Sequence, residues 1–244
     1  MAVPHRDALE GLLAPLTPAF AEQLRQLARY GPEFARFGGE PPAPRFEQDW
    51  FPRLDAAMAY RLVRDRAPRR IVEIGSGHST RIMARAIADG ALKTEFTAID
   101  PKPRAPFAGL PVHHLASRLQ DASAAPIQAL APGDFLFIDS SHIQRPGSDV
   151  ELLFSRLLPA LPGGAIAHIH DVFLPDDYPG SWAWRNYNEQ DALAPLLINS
   201  TWTPIFASHY AVTRMTADFD ASAAAALPLP AGAIESSFWM EKAR

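Results

Sequence analysis

Apolar residues recur at helical spacing in two stretches of the N-terminal third of the chain. The first covers residues 16–30 and the second covers residues 51–66, and each predicts an amphipathic helix. Between them, residues 38–44 (GGEPPAP) show no periodicity and contain rigid prolines, which is typical of a connector. We therefore divide the chain into an N-terminal helical segment with a Pro-rich connector, residues 1–50, and a main domain, residues 51–244.

Short, almost wholly apolar runs alternate with helical segments after residue 70. Such runs are typical of strands that are buried on both faces, and their alternation with helices predicts a parallel sheet covered by helices, the α/β class. The predicted strands cover residues 71–74, 96–100, 112–115, 135–139, 165–171, 204–212 and 237–241, and the predicted helices cover residues 81–88, 149–158 and 189–197.

The regular pattern is interrupted over residues 174–188, where Tyr178, Trp182, Trp184 and Tyr187 are concentrated. A long aromatic loop after a strand of an α/β sheet is a place for ligand contacts, but it can equally pack as a lid or as a subunit contact. The sequence leaves these roles open.

Composition removes several classes of function. The chain has 244 residues, 48% of them hydrophobic, and no cysteine, which excludes disulfide scaffolds, thiol catalysis, thiolate zinc sites and iron–sulfur clusters. A net charge of −4 without a basic run argues against nucleic-acid binding. Because neither a secretory signal nor a bilayer-spanning stretch is evident, we expect a cytoplasmic protein without membrane contact, and a homo-oligomer remains open.

A glycine turn follows the first predicted strand. Gly75 and Gly77 lie between Ile74 and the next predicted helix, so the backbone can turn tightly and the helix amino terminus can face a polar or negative group. A dinucleotide fingerprint would have a third glycine where this chain has Thr80. This difference weakens a nicotinamide or flavin prediction.

Two acids accompany this turn. Asp100 ends the second predicted strand, where a carboxylate can accept the hydrogens of both ribose hydroxyls, and Glu73 lies in the first apolar strand, where an unpartnered acid is costly. A cationic ligand with an amino group could provide Glu73 with a partner. Alternatively, Glu73 caps backbone amides and Asp100 is a turn residue before Pro101. Taken together, the strand, glycine turn, helix, strand and acid favour an adenosine-bearing cofactor.

Several motifs together resemble a known family. The runs IVEIGSGHST, TAID, FIDSSH with GSDV, HIHDVFLPDDYP, NEQ and SSFWMEK are similar to class I S-adenosylmethionine-dependent methyltransferases of the Methyltransf_24 type, over about residues 51–242. The resemblance implies a Rossmann-like fold with a seven-stranded sheet whose last strand is antiparallel. It also implies cofactor contacts around the glycine turn, and with their neighbours the cofactor-binding candidates are Glu73, Gly75, Ser76, Gly77, Ser79, Asp100 and Asp139.

Acids and histidines gather after the fourth and fifth predicted strands. Asp139 ends the fourth strand, His142 follows three residues later, and His168, His170 and Asp171 lie on the fifth. Because neighbouring parallel strands end at one edge of the sheet, we expect these side chains to converge beside the reactive end of the cofactor. His170 and Asp171 face opposite sides of a regular strand, so both can join the site only if the chain leaves the sheet there.

Metal-dependent O-methyltransferases that act on catechols and sugars are similar at these positions. The resemblance makes Asp139, His170 and Asp171 candidate ligands for Mg, Mn, Fe or Zn, and His142 a candidate base that we also count among the ligands. His170 stands where an acid or amide would be usual, so a transition ion suits the set better than Mg. Each residue also has a role without a metal: His168 as a neutral core imidazole, His142 as a cap of its loop, and His170 with Asp171 as a hydrogen-bonded pair.

We therefore predict a methyltransferase that modifies a small polar acceptor, with a hydroxyl as the preferred target. His142, with an ordinary pKa of about 6.5, would take the hydroxyl proton, and Asp139 is the second catalytic candidate. A divalent ion would make that hydroxyl more acidic. The alternatives are a metal-independent N- or C-methyltransferase, a nicotinamide-dependent oxidoreductase, and a noncatalytic binding module that kept the fold.

Overall fold

The computed structural model describes residues 4–244 and confirms the α/β class. The strands are β1 (Arg70–Ile74), β2 (Glu95–Ile99), β3 (His113–Leu115), β4 (Phe135–Ile138), β5 (Ile166–Ile169), β6 (Trp202–Ala207) and β7 (Phe238–Lys242). They form one sheet in the order β3-β2-β1-β4-β5-β7-β6, in which β7 runs antiparallel to both of its neighbours and the other pairings are parallel. The seven-stranded sheet with an antiparallel last strand is thus confirmed.

Helices surround this sheet and precede it. The helices are α1 (Pro4–Leu13), α2 (Thr17–Gln26), α3 (Gly31–Phe34), α4 (Arg53–Arg66), α5 (His78–Asp89), α6 (Ala125–Gln128), α7 (Asp149–Leu152), α8 (Leu158–Ala160), α9 (Glu189–Ile198), α10 (Ser208–Arg214) and α11 (Thr216–Asp220). All residues of β4 and β5 are buried, as expected for central strands covered on both faces. Between residues 4 and 244, no helix has the length and apolar content needed to cross a bilayer.

The strand register places four segment ends side by side. The last residue of β1 pairs with the last residues of β2 and β4, and the last residue of β4 pairs with that of β5. The residues that follow these strands, in sheet order, are Asp100, Gly75, Asp139 and His170. Parallel pairing therefore brings the glycine turn, both strand-ending acids and one histidine to the same edge.

The predicted strand over residues 204–212 is wrong in its second half. The strand β6 ends at Ala207, and the chain continues as α10, whose Tyr210 and Ala211 are buried. A short apolar run fits a buried strand and a buried helix equally well, and only the tertiary packing decides between them. Here Phe20 of α2 packs edge-on against Tyr210 and against Phe206 of β6, with ring centroids 6.2 and 5.6 Å apart.

The N-terminal helices share the core of the main domain. Their buried apolar residues, from Leu9 to Phe34, belong to the same hydrophobic cluster as the strands. An aromatic contact joins Phe34 of α3 to Tyr60 of α4, with ring centroids 5.6 Å apart. The segment before the connector therefore packs on the helix α4.

Candidate active site

A cavity of about 770 Å³ opens where the carboxyl ends of β1, β2, β4 and β5 meet. This volume is typical of a small-molecule site. The residues predicted from the sequence that line it are Gly75, Ser76, Gly77, Ser79, Asp100, Asp139, His142, His170 and Asp171. Of the predicted site residues, Glu73 alone does not line the cavity.

The two glycines of the turn are required by the approach of neighbouring backbone. Gly75 has φ of 79°, and a Cβ built on it would lie 1.9 Å from the carbonyl oxygen of Asp139. Gly77 has φ of 155°, and its Cβ would lie 3.0 Å from Cβ of Arg104. The sequence suggests that glycine permits close approach of a ligand. The structure adds that the end of β4 itself lies against the turn.

Glu73 supports the glycine turn from inside the protein. Its buried carboxylate accepts hydrogen bonds of 2.6 Å from the hydroxyls of Ser79 and Thr80, and the Gly77 N–H donates to Thr80 Oγ1 over 2.8 Å. Burial raises the pKa of Glu73 to about 8, although the two hydroxyls oppose the rise. The hydroxyl of Thr80, the residue at the position of the third glycine in a dinucleotide fingerprint, thus links the turn to Glu73.

Asp100 is held in the cavity wall beside the turn. Its Oδ2 accepts a hydrogen bond of 2.9 Å from Ser76 Oγ, and its Oδ1 accepts one of 2.7 Å from the backbone N–H of Lys102. These two donors fix the orientation of the carboxylate. The predicted pair of turn and acid is thus directly connected through Ser76.

Two histidines and two aspartates converge at the bottom of the cavity. Asp139 Oδ1 lies 3.2 Å from His142 Nε2 and 3.7 Å from His170 Nδ1. The carboxylate of Asp171 lies 3.4 Å from each of the same two nitrogens. The strand β5 ends at Ile169, and Asp171 has a left-handed φ of 55°. The chain therefore leaves the sheet at this point, which lets the side chains of His170 and Asp171 reach the same site.

Each of these imidazoles is also bonded to a second, more deeply buried carboxylate. His142 Nδ1 donates to Glu189 Oε2 over 2.8 Å, and His170 Nε2 lies 3.3 Å from Asp55 Oδ2. Asp55 also accepts hydrogen bonds from the backbone N–H groups of Ser236 and Ser237, of 2.9 and 3.0 Å. One ring nitrogen of each histidine is thereby engaged, and the other faces the cavity.

Neither of these supporting acids was identified from the sequence. Glu189 lies in the motif NEQ, to which the resemblance assigns no role, and Asp55 follows Leu54 in the apolar stripe of a predicted helix. A carboxylate within an apolar stripe is costly unless it is hydrogen-bonded, which is the signal that could have identified Asp55.

The carboxylates control the protonation of the cluster. Burial alone would lower the pKa of His142 and of His170, but the surrounding carboxylates outweigh it and hold the pKa of both imidazoles well above the ordinary value. Burial would likewise raise the pKa of Asp139, but the two imidazoles hold it below its ordinary value. The expectation of an ordinary pKa for His142 is therefore revised: the surrounding carboxylates raise it.

The four candidate metal ligands pair with one another in this structure. Over the described part of the chain, no group of three or more His, Asp or Glu side chains is arranged to hold a metal ion.

His168 lies outside this cluster. Its Nε2 is bonded to Ser237 Oγ over 2.8 Å, and its ring stacks on Phe137 with centroids 3.7 Å apart. It is a core histidine, as the metal-free alternative expects.

Part of the aromatic loop lines the cavity. The ring of Tyr187 packs on the imidazole of His142 with centroids 4.6 Å apart, and Trp182 and Arg185 join it in the wall. Trp184, by contrast, points outward and is 74% exposed. The loop therefore contributes one wall beside the histidine cluster.

The comparisons with known proteins agree with this fold. Residues 72–172 match the family model Methyltransf_24, described as a methyltransferase domain. The matched segment runs from β1 to the residues just after β5, so the glycine turn and the strand-ending acids lie within it. The match supports the fold and enzyme class expected from the sequence, a Rossmann-like S-adenosylmethionine-dependent methyltransferase. No curated protein matches its sequence.

Solved structures that resemble the chain include three methyltransferases. The plantazolicin methyltransferase BpumL, in complex with a pentazolic desmethylPZN analog and SAH, is 13% identical with a TM-score of 0.51 over 98% of this chain and 100% of that one. SAH-bound PaMTH1 from Podospora anserina is 17% identical, with a TM-score of 0.49 over 95% of each chain. The O-methyltransferase TomG from Streptomyces achromogenes, in complex with SAM, is 16% identical, with a TM-score of 0.44 over 98% of this chain and 99% of that one. The likeness to BpumL supports the shared fold.

Proposed function

We propose that this methyltransferase transfers the methyl group of S-adenosylmethionine to a hydroxyl of a small polar acceptor. The observation that carries the proposal is that the glycine turn and the cluster of His142, His170, Asp139 and Asp171 line the same cavity. A donor held at the turn would thus have its reactive end beside groups that can take a proton. The small volume of the cavity favours a small-molecule acceptor.

The residues around the turn fit an adenosine-bearing donor. The oriented carboxylate of Asp100 can accept hydrogen bonds from ribose hydroxyls, and the turn leads into the amino terminus of α5, which favours polar or negative groups. When bound, S-adenosylmethionine supplies an electrophilic methyl carbon on a sulfonium. The chain must then mainly hold the acceptor oxygen in line with that carbon.

His142 is the proposed base. Its Nδ1 is engaged by Glu189, so Nε2 is the nitrogen that faces the cavity and can take the hydroxyl proton. The imidazole must first lose its own proton to solvent, against the stabilisation that Asp139 and Asp171 give to the protonated ring. A further positive charge in the cavity would favour that release, because it gives the two carboxylates another counter-charge.

The four side chains of the cluster have the ligand chemistry for a divalent ion, although they pair with one another as they stand. Two imidazole nitrogens and two carboxylates converge, and each imidazole has a carboxylate behind it, as metal-ligating histidines usually do. We propose that Asp139, His170 and Asp171 would hold such an ion while His142, which has only Nε2 available, serves as the base, and an imidazole ligand favours Mn, Fe or Zn over Mg. A bound ion would lower the pKa of the acceptor hydroxyl.

Replacement of the proposed base tests the function. His142→Ala should leave the affinity for S-adenosylmethionine nearly unchanged and slow the release of S-adenosylhomocysteine with a diol such as 3,4-dihydroxybenzamide on the order of a hundredfold. His113→Ala, at an exposed position on β3, is the matched control and should keep the full rate. Equal rates for the two variants would remove His142 from the base role.

Chelation tests the ion separately. Exhaustive treatment with a chelator, followed by readdition of Mn, Fe, Zn or Mg one at a time, should abolish and then restore turnover, with the transition ions more effective. Turnover that is indifferent to both steps would favour the metal-free site.

A further inference from the structure

Arg185 lines the cavity without an acidic partner among the described residues. Other arginines of the chain are paired, as in the contact of Arg61 with Asp65 at 2.9 Å or that of Arg70 with Glu95 at 2.9 Å. Within residues 4–244, Arg185 makes no such ion pair: its Nη1 donates to the Tyr187 hydroxyl over 3.0 Å, and its buried Nε has no hydrogen-bond partner. Its positive charge is therefore left without a counter-charge in the wall of the cavity.

Aromatic rings hold this guanidinium in place. Its central carbon lies 4.2 Å from the ring centroid of Trp182, 5.1 Å from that of Trp184 and 5.4 Å from that of Tyr187. Cation–π contacts orient an arginine without neutralising it. A planar, oriented guanidinium is well suited to bind a carboxylate through two parallel hydrogen bonds.

Tyr187 sets the separation between this charge and the proposed base. The ring centroid of Tyr187 lies 4.6 Å from that of His142 and 5.4 Å from the guanidinium carbon of Arg185. The guanidinium can therefore be no farther from the imidazole than these two steps taken together. One small ligand can thus contact both groups, and the aromatic faces of Trp182 and Tyr187 beside Arg185 favour a planar one.

The charges of the cavity give such a ligand one orientation. Asp139 and Asp171 lie at the histidine end, where they would repel a carboxylate, whereas Arg185 attracts it. Lys102, Arg104, Arg118 and Arg145 also line the cavity, but Arg104 lies against the glycine turn and Arg118 is paired with Asp121. Arg185 is the cation that shares Tyr187 with His142. We propose that Arg185 binds an anionic group of the acceptor, so that the preferred acceptors are planar hydroxylated carboxylates whose hydroxyl end points toward His142. This inference rests on the proposed function and adds the substrate class.

Two probes that differ only in charge test the inference. We would titrate the protein, saturated with S-adenosylhomocysteine, with 3,4-dihydroxybenzoate and with its neutral analogue 3,4-dihydroxybenzamide, and follow calorimetry and tryptophan fluorescence. The wild-type protein should bind the benzoate about tenfold more tightly, as expected for a charge-assisted pair. Arg185→Gln should abolish this preference, and Arg156→Gln, which removes an exposed charge near α8, should retain it.

The outcomes separate the inference from the function on which it rests. Equal affinity of wild-type protein for the two probes, no binding of the benzoate, or a preference that survives in Arg185→Gln would each overturn the anion site. The methyltransferase proposal still stands after any of these three results if the protein binds S-adenosylhomocysteine and, in a separate assay with S-adenosylmethionine, methylates the benzamide. Failure to bind S-adenosylhomocysteine would overturn both. The comparison of probes on the wild-type protein needs no variant, so it holds even if Arg185→Gln folds poorly.

Discussion

Glu189, the first residue of α9, accepts a hydrogen bond of 2.8 Å from Nδ1 of His142, which lies 47 residues earlier in the chain. The backbone carbonyl of His142 in turn accepts hydrogen bonds from the N–H groups of Asn188 and Glu189, of 3.0 and 3.2 Å. Side chain and main chain of His142 are thus both tied to the start of one helix. His142 has a left-handed backbone conformation with φ of 58°, which these contacts help to maintain. They also fix the imidazole ring, with Nε2 on the side of Asp139 and Asp171.

Substitution of Glu189 should therefore impair catalysis more than cofactor binding. Glu189→Gln keeps an acceptor for Nδ1–H but removes the charge that supports the imidazole, and we expect methyl transfer to fall about 10–100-fold. The affinity for S-adenosylmethionine should change little. Asp191→Asn, at an exposed acid of the same helix, is the control, and equal turnover of both variants would contradict a positioning role.

A methyl group at Gly75 should prevent the sheet edge from closing. Gly75→Ala places Cβ 1.9 Å from the Asp139 carbonyl oxygen in a backbone conformation that L-residues rarely adopt, so we expect a loss of more than about 3 kcal/mol in the free energy of unfolding. Gly11→Ala, where nothing lies within 4 Å of the added carbon, should stabilise α1 by about 0.5–1 kcal/mol. Urea denaturation of both variants checks this, and similar stabilities would contradict the packing argument.

Glu73 should make the stability depend on pH between about 4.5 and about 8. The folded protein keeps the proton of Glu73 up to about pH 8, whereas the unfolded chain loses it near pH 4.5. The raised pKa therefore makes its full contribution to the free energy of unfolding below about pH 4.5, and this contribution decreases as the pH rises toward 8.

Glu73→Gln removes this dependence and keeps the shape of the side chain. The free energy of unfolding of the variant, relative to wild type, should increase as the pH rises from 5 to 8, by at most about 1.4 kcal/mol per pH unit. Glu95→Gln, at an exposed residue of β2, serves as control. A constant difference between Glu73→Gln and wild type across this range would mean that Glu73 is ionised in the folded protein.

The orientation of Asp100 predicts a role in holding the donor. Asp100→Asn removes the charge and one of the acceptor oxygens, so the affinity for S-adenosylmethionine measured by calorimetry should fall about tenfold or more, as expected for lost charge-assisted hydrogen bonds. Asp220→Asn, at an exposed residue at the end of α11, should bind as wild type does. Unchanged affinity of Asp100→Asn would place the ribose elsewhere in the cavity.

The central sheet could be predicted because its information is local. Apolar runs such as those ending at Ile74 and Ile138 separate clearly from the amphipathic segments between them, and parallel strands must end at a common edge. The run after Pro204 was ambiguous for the same reason, because short apolar segments suit a strand or a helix until their neighbours are known.

The sequence by itself determined the α/β class, the glycine turn, and the gathering of Asp139, His142, His170 and Asp171 at one edge, since each follows from local pattern and strand order. Only the tertiary structure decided which ring nitrogen of each histidine is engaged by a buried carboxylate and that the pKa of both imidazoles is raised. Those properties depend on Asp55 and Glu189, which lie 115 and 47 residues from their histidines and come within hydrogen-bond distance only in the folded chain. Charge and hydrogen bonding act over a few ångströms, whatever the separation along the sequence.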